Sequence, residues 1–188
     1  MRTNLPDPLA EAINTRCRLT GSFTLRSGRI ANEYFDKYLF ESDPKLLKEV
    51  ADRMAALVPA NAEMLGGLEL GGVPLATLVG QATGLPVLFV RKEAKQYGTR
   101  RLAEGGDPAR RHIILIEDVV TSGGAVLNAA TAIRALGGTV TDVVCAIDRE
   151  EGGREALADA GLTLHAVIAR SDLEHATPSQ LRHIVVED

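Results

Sequence analysis

The chain has 188 residues, 24% of them charged, and a formal net charge of -4 at pH 7. This length suits one domain with a full core. The acidic balance gives no sign of a nucleic-acid or anionic membrane partner. No apolar run approaches the roughly 20 residues that span a bilayer, and the N-terminus lacks the basic and apolar regions of a signal peptide. The two cysteines, Cys17 and Cys145, form neither a disulfide framework nor a zinc-ligand pair, so we expect a cytoplasmic protein.

Residues 1–42 predict a small cap of mixed helix and strand. Apolar side chains recur at helical spacing over residues 8–17, and residues 18–38 alternate and break at Gly21 and Gly28, as in a hairpin. Aromatic side chains concentrate here, although only 4% of the chain is aromatic: Phe23, Tyr34, Phe35, Tyr38 and Phe40. These rings either pack the cap or bind a flat heterocycle.

Residues 43–170 predict a core of alternating helices and short strands, followed by a tail over residues 171–188. Ser42 is the predicted N-cap of a helix that has Pro44 in its first turn. Strands are then predicted at 62–68, 87–90, 112–116, 140–147 and 164–168, and helices at 74–83, 122–136 and 153–160. This alternation predicts an α/β fold with a doubly wound, mainly parallel sheet flanked by helices. In the tail, Thr177-Pro178-Ser179 predicts the start of a last short helix.

Residues 113–125, which read IILIEDVVTSGGA, combine a buried strand, an acidic pair and a small-residue loop. The loop Thr121-Ser122-Gly123-Gly124 precedes a helical pattern, so its backbone N-H groups and the helix dipole favour a bound phosphate. The order is neither a dinucleotide fingerprint nor a Walker A loop. Because Glu117 and Asp118 come before the loop, they can reach hydroxyls or a metal on the same ligand. We therefore predict a ribose 5-phosphate site, with an ordinary turn as the alternative.

Three other polar segments follow predicted strands, whose carboxyl ends line the ligand edge of such a sheet. Residues 91–106, here called the cationic loop, carry the cations Arg91, Lys92, Lys95, Arg100 and Arg101. This segment either closes over an anionic ligand or is a solvated surface loop. Residues 69–72, with two glycines, either let the backbone approach an anion or form a simple turn. Arg149 either pairs with a planar carboxylate or is neutralised by its acidic neighbours.

Together these motifs, spread over residues 21–153, resemble the orotate phosphoribosyltransferases of the type I phosphoribosyltransferase family. The resemblance implies that fold, and transfer of the phosphoribosyl group of 5-phosphoribosyl 1-diphosphate (PRPP) to orotate. It also implies Mg2+, held mainly through the PRPP diphosphate and water, and a homodimer whose catalytic loop is shared between subunits. Its catalytic residues correspond to Lys95, Glu117 and Asp118.

The resemblance also assigns binding residues. PRPP contacts fall on Arg91, Lys92, Lys95, Tyr97, Glu117, Asp118, Val119, Val120, Thr121, Ser122, Gly123, Gly124 and Ala125, with a diphosphate loop at Glu69, Leu70, Gly71 and Gly72. Orotate contacts fall on Arg26, Tyr34, Phe35, Thr121 and Arg149. Tyr97 replaces a histidine, and Ala125 a hydroxyl residue, that many relatives carry. The diphosphate loop lacks the lysine that some members have.

Two alternatives compete with this interpretation. One is a phosphoribosyltransferase for another base, against which Arg149 and the cationic loop argue, because purines and uracil bear no carboxylate. The other is a PRPP-sensing regulator that binds nucleic acid, which would need a basic face or an added helix-turn-helix. The acidic chain and its short N-terminal cap argue against that regulator.

Overall fold

The computed structural model describes residues 7–24, 28–93, 102–176 and 182–183, the last two by their backbone alone. The chain forms two compact units, Met1–Leu47 with Ser171–Asp188, and Lys48–Arg170. The helices are α1 (Pro8–Cys17), α2 (Tyr38–Glu41), α3 (Pro44–Ala56), α4 (Gly72–Thr83), α5 (Gly124–Ala135), α6 (Gly153–Asp159) and α7 (Arg170–His175). The strands are β1 (Arg18–Thr24), β2 (Ile30–Phe35), β3 (Met64–Leu68), β4 (Val87–Val90), β5 (Ala103–Glu104), β6 (His112–Val120), β7 (Thr139–Asp148), β8 (Thr163–Ala169) and β9 (Arg182–His183). Within the described residues, no helix is both long and apolar enough to cross a membrane.

The first unit contains the predicted helix and hairpin of the N-terminal cap. Strands β1 and β2 pair antiparallel, and β9 joins β1 in parallel. Helix α1 begins at Pro8, and the Asp7 carboxylate caps it by accepting the N-H of Leu9 at 3.0 Å. The buried Asn14 side chain donates to the carbonyls of Leu173 and Ala176 at 3.0 and 2.9 Å. These two bonds tie the C-terminal segment to α1.

The predicted cap of α3 was wrong by one residue. Asp43, not Ser42, accepts the N-H groups of Lys45 and Leu46, at 3.0 and 3.2 Å. The reason is positional: Pro44 occupies the first helical position, so the residue directly before it must serve as the N-cap. Ser42 instead ends the short helix α2, which the sequence pattern did not predict.

The second unit contains the predicted doubly wound sheet, which is confirmed. Its strand order is β5-β4-β3-β6-β7-β8, and every neighbouring pair is parallel except β4 with β5. Residues 113–118 of β6 are all buried, as expected of a central strand covered on both faces. From β3 the chain proceeds to β4 on one side, and from β6 to β7 and β8 on the other. This reversal between β3 and β6 creates the crevice where such sheets bind ligands.

Several boundaries differ from the prediction, most importantly in β6. This strand continues beyond Ile116 to Val120, because β7 is long enough to pair with it as far as Val120 with Asp148. Glu117 and Asp118 therefore lie within the paired strand instead of beyond its end. Strand β5 falls inside the segment predicted as a continuous loop. Residues 94–101 of that loop and the predicted short helix at 177–179 lie outside the described residues.

Both thiols are expected to be unreactive in the folded protein. Cys17 and Cys145 have no exposed surface. Burial raises the pKa of the Cys17 thiol to about 12, and it also raises the pKa of Cys145 above its ordinary value. Because the thiolate is the reactive form, a chromogenic disulfide reagent at about pH 8 should titrate neither cysteine before unfolding and both afterwards. Rapid reaction of either thiol in the native protein would contradict this burial.

Candidate active site

Two carboxylates lie near the carboxyl end of β6, and that of Asp118 lies beside Gly71. Glu117 is 7% exposed and Asp118 is 1% exposed. The Glu117 carboxylate accepts the N-H of Asp118 at 3.0 Å, and the Asp118 carboxylate accepts the N-H of Val119 at 2.6 Å. These backbone bonds orient two acids that would otherwise be costly to bury.

The predicted phosphate loop is exposed and leads into α5. Thr121, Ser122, Gly124 and Ala125 are all accessible. Gly123, the N-cap of α5, has a φ of 79°, a left-handed conformation that favours glycine. The first N-H groups of a helix have no partner within it, and the helix dipole adds positive potential there. The loop is therefore suited to an anion, although Ala125 offers no hydroxyl to it.

The predicted diphosphate loop lies directly against the end of β6. A Cβ atom on Gly71 would lie 1.8 Å from Oδ2 of Asp118, and one on Gly72 would lie 2.4 Å from the Ile116 carbonyl oxygen. Only glycine permits this approach without displacing the neighbours. Leu70, by contrast, is 64% exposed. The structure therefore brings together the diphosphate loop and the acidic pair, which the sequence separates by more than forty residues.

A cavity of about 270 Å³ lies beside these loops, and Glu69, Arg91, Lys92, Ala125 and Asn128 are among its lining residues. The Glu69 carboxylate accepts the N-H of Lys92 at 3.3 Å. The Nε atom of Arg91 is buried and has no hydrogen-bond partner among the described residues. The cavity thus joins the start of the cationic loop to the diphosphate loop and to the first turns of α5.

The base of the cationic loop is closed by backbone pairing. The N-H of Arg91 donates to the Leu102 carbonyl at 2.9 Å, and β4 pairs with β5 immediately beside it. Both ends of the segment are therefore held at the same edge of the sheet. Lys95 and Tyr97, which were predicted to contact PRPP, lie outside the described residues.

Arg149 lies next to the phosphate loop, at the end of β7. Its backbone N-H donates to the Val120 carbonyl at 2.9 Å, and its Nε is 3.5 Å from the Glu151 carboxylate. A Cβ atom on Gly153 would be 2.2 Å from the Thr121 carbonyl oxygen, so the start of α6 also touches this loop. Two predicted orotate contacts, Thr121 and Arg149, are thus neighbours in space.

The remaining predicted orotate contacts belong to the first unit. The rings of Phe23 and Tyr34 stack with their centroids 5.5 Å apart and their planes at 29°. Tyr34 remains 45% exposed, and Phe35 is partly buried. Tyr34 therefore packs on the cap while keeping surface for another contact. Arg26 lies outside the described residues.

Comparison with known proteins identifies the family. Residues 40–176 match the family model of the phosphoribosyl transferase domain. The chain is 58% identical over 168 residues to an orotate phosphoribosyltransferase of Nocardioides sp., an alignment that spans 89% of this chain and 94% of the relative. This chain belongs to the orotate phosphoribosyltransferase family.

Solved structures of orotate phosphoribosyltransferases share the fold. The Mycobacterium tuberculosis enzyme in complex with Fe(III) dicitrate aligns with a TM-score of 0.80 and 33% identity, covering 88% of this chain and 96% of that one. The same enzyme in complex with PRPP aligns with a TM-score of 0.75 and 29% identity, with the same coverage of each chain. The predicted family and its type I phosphoribosyltransferase fold are confirmed.

One feature of this family member was missed by the sequence interpretation. Asp148 is buried at the end of β7, and its carboxylate is paired with Arg154 in the first turn of α6. The available signal was an acid at the end of an apolar strand, followed six residues later by an arginine at a helix start. The residues around Arg149 do not by themselves reveal this pair.

Among the residues that the structure describes, no group of three or more His, Cys, Asp and Glu side chains is arranged to hold a metal ion. Oxygen donors at the crevice include the carboxylates of Glu117 and Asp118 and, in the diphosphate loop, that of Glu69. Such a set suits Mg2+, which commonly binds through one or two carboxylates and completes its shell with substrate phosphates and water.

Proposed function

We propose that this chain transfers the 5-phosphoribosyl group of PRPP to orotate, producing orotidine 5'-monophosphate and diphosphate in the synthesis of UMP. The observation that carries the proposal is the convergence of four motifs at one edge of the sheet. The exposed phosphate loop, the buried acids and the diphosphate loop meet at the crevice, and Arg149 lies beside Thr121. The orotate phosphoribosyltransferase relatives support the same activity.

The donor is held by groups with separate tasks. Backbone N-H groups of residues 121–125 and the hydroxyls of Thr121 and Ser122 bind the 5'-phosphate. Glu117 and Asp118 bind the ribose hydroxyls, and their negative charge favours cationic character in the ring. The backbone N-H groups of residues 69–72 bind the diphosphate, because the loop has no lysine, and its glycines let the loop lie against Asp118 at the end of β6.

The reaction requires no enzyme nucleophile. The bond between C1 of ribose and the diphosphate oxygen breaks, and its electron pair leaves with diphosphate. A ring nitrogen of orotate forms the new bond to C1 and gives up its proton to the departing diphosphate or to water. Positive charge develops on the ribose and negative charge on the leaving group. Arg91, Lys92 and Lys95 stabilise the leaving group, and positioning with electrostatic stabilisation lowers the barrier.

We include Mg2+ in this proposal. When bound to the diphosphate, the ion supplies positive charge to its oxygens. Asp118, whose carboxylate lies against Gly71 of the diphosphate loop, and its neighbour Glu117 would hold the ion directly or through water. The remaining ligands are PRPP oxygens and water.

Orotate is recognised by its flat ring and its carboxylate. Arg149 pairs with the carboxylate, for which a guanidinium provides two parallel donors. Thr121, adjacent to it, contacts the base. The family resemblance assigns Tyr34 and Phe35 to the ring, and Tyr34 has an exposed aromatic face suited to stacking. Arg26 completes the set proposed from the family resemblance.

We further propose a cytoplasmic homodimer that shares its catalytic loop between subunits and binds no nucleic acid. The two reduced, buried cysteines agree with a reducing compartment. The net charge of -4 disfavours a nucleic-acid partner. The shared loop follows from the family resemblance, and the fixed loop base at Arg91 and Leu102 is compatible with it.

The direct test is an absorbance assay with PRPP, Mg2+ and orotate, run in parallel with adenine, hypoxanthine and uracil. Orotate should be consumed only when PRPP and Mg2+ are both present, and the other bases should not react. Consumption of a purine or uracil in place of orotate would establish a different acceptor. No reaction with any base, together with a salt-dependent gel shift on nucleic acid, would favour the regulator.

Arg149→Ala is expected to raise the KM for orotate by about 30-fold or more, because loss of one partner of a buried charge pair costs roughly 2–5 kcal/mol. Steady-state kinetics at saturating PRPP measures this effect. Glu151→Gln is the matched control, since it removes the negative charge that lies 3.5 Å from Arg149 but leaves the guanidinium. Its orotate KM should stay close to that of the unmodified enzyme. An unchanged KM in the alanine variant would assign carboxylate recognition to another residue.

A further inference from the structure

We infer that the Asp148–Arg154 ion pair is a positioning device that presents Arg149 to the acceptor, and that it thereby contributes to the specificity for a carboxylated base. Neither residue is proposed to touch the substrate. The inference rests on the proposed role of Arg149 in orotate binding. It adds Asp148 and Arg154 as residues on which orotate binding by Arg149 depends.

The pair is extensively hydrogen-bonded. Oδ2 of Asp148 accepts hydrogen bonds from Nε and Nη2 of Arg154, at 3.1 and 2.9 Å. Oδ1 of Asp148 accepts the backbone N-H of Glu150 at 2.9 Å. Nη1 of Arg154 donates to the Leu164 carbonyl at 2.8 Å. One carboxylate and one guanidinium therefore link the end of β7, the following turn, the start of α6 and strand β8.

These bonds hold the backbone on both sides of Arg149. On one side, Asp148 is the last residue of β7 and is 1% exposed. On the other side, Glu150 has a φ of 52°, in the left-handed region that a residue with a side chain rarely adopts. The hydrogen bond from its N-H to Asp148 stabilises this turn. The backbone N-H of Arg149 is itself bonded to the Val120 carbonyl. The backbone from which the Arg149 side chain extends is therefore held in place.

The location of the pair indicates more than general stabilisation. Only Asp148 is buried, since the Arg154 side chain is half exposed, and an ion pair with an exposed partner adds little stability by itself. This pair, however, lies where the Arg149 turn and the start of α6 contact the phosphate loop. Displacing this turn would move Arg149 relative to Thr121, which shares the proposed base site. A shift of about 1 Å in a positioned group can reduce catalytic efficiency about 100-fold.

Arg134 provides a matched control at the opposite edge of the sheet. Its guanidinium also ties elements together, donating to the carbonyls of Val140 at 2.7 Å and Ala160 at 3.2 Å. Val140 lies near the amino end of β7, whereas the crevice lies at the carboxyl ends of the strands. Arg134 therefore stabilises the same unit at a distance from the crevice. Arg134→Ala should therefore lower the thermal stability without altering orotate binding.

The experiment compares Arg154→Ala, Arg154→Lys, Asp148→Asn and Arg134→Ala by steady-state kinetics and thermal unfolding. Arg154→Ala is expected to raise the orotate KM by about tenfold, with kcat and the PRPP KM within about threefold of the unmodified enzyme. Arg154→Lys, which keeps the charge but not the fork of donors, should recover part of this loss. Asp148→Asn should behave like Arg154→Ala. Isothermal titration with orotidine 5'-monophosphate should show the same order of affinities without turnover.

The double variant Arg149→Ala/Arg154→Ala separates this inference from the proposed function. If Arg154 acts through Arg149, the double variant should have the same orotate KM as Arg149→Ala alone. An unchanged KM in Arg149→Ala would overturn the proposed role of Arg149. A raised KM in Arg149→Ala with an unchanged KM in Arg154→Ala and Arg154→Lys would overturn the positioning inference. Equal effects of Arg154→Ala and Arg134→Ala on all kinetic constants would show that the Asp148–Arg154 pair has only a structural role. That result would also overturn the positioning inference.

Discussion

Replacing Gly71 with alanine is expected to lower kcat by about 100-fold, because it moves groups that must be placed within about 1 Å. The new Cβ would lie 1.8 Å from Oδ2 of Asp118, so either the diphosphate loop or the buried carboxylate must be displaced. Gly71 itself has a φ of -68°, which alanine adopts without strain. The effect is therefore one of contact with Asp118, measurable in single-turnover and steady-state assays.

Gly84→Ala is the appropriate comparison, at the other end of α4. Gly84 has a φ of 76°, and beyond its immediate chain neighbours no atom would lie within 4 Å of a Cβ added there. Alanine at this position should destabilise the fold by about 1 kcal/mol through backbone strain and leave kcat near its normal value. If Gly71→Ala also turned over normally, close contact between this loop and Asp118 would not be needed for the reaction.

Replacing Lys95 with alanine is expected to lower kcat by about 100- to 1,000-fold, a loss typical of removing one group that stabilises developing charge. The PRPP KM should change far less, because the ammonium group matters most as diphosphate departs. Pre-steady-state measurement of diphosphate release tests this separation. Lys48→Ala is a suitable control, since Lys48 lies on the outer surface of α3 and pairs only with Asp52 among the contacts described for it. Near-normal turnover of Lys95→Ala would remove Lys95 from the mechanism.

A mixture of the Lys95→Ala and Gly71→Ala chains tests the proposed sharing of the loop. In a homodimer that exchanges loops, each mixed dimer contains one site with both residues intact. An equal mixture of re-associated subunits should then recover about a quarter of the normal activity. No recovery, despite demonstrated subunit exchange, would show that Lys95 serves the site of its own subunit.

The fold class followed from the sequence, which also predicted most of the proposed donor site. Alternating apolar segments predicted the doubly wound sheet, because the 2-residue and 3.6-residue periods of strands and helices are local properties. The order of residues 113–125 predicted the phosphate loop and its acidic pair, since the strand, the acids and the helix start are consecutive in the chain. The same local reasoning failed by one residue at Asp43, where Pro44 decides which side chain caps α3.

The tertiary structure alone decided which distant residues meet. The approach of Gly71 to Asp118 depends on β3 and β6 being neighbours at the switch point, and strand order is a property of the whole sheet. The length of β6 depended on pairing with β7, which carried the strand past Ile116 and placed Glu117 and Asp118 within it. The bonds that join Asp148, Arg154 and Leu164 span three elements, and no periodicity in the sequence encodes such contacts. The local sequence pattern therefore predicted which residue types form the proposed site, whereas long-range packing set the distances between them.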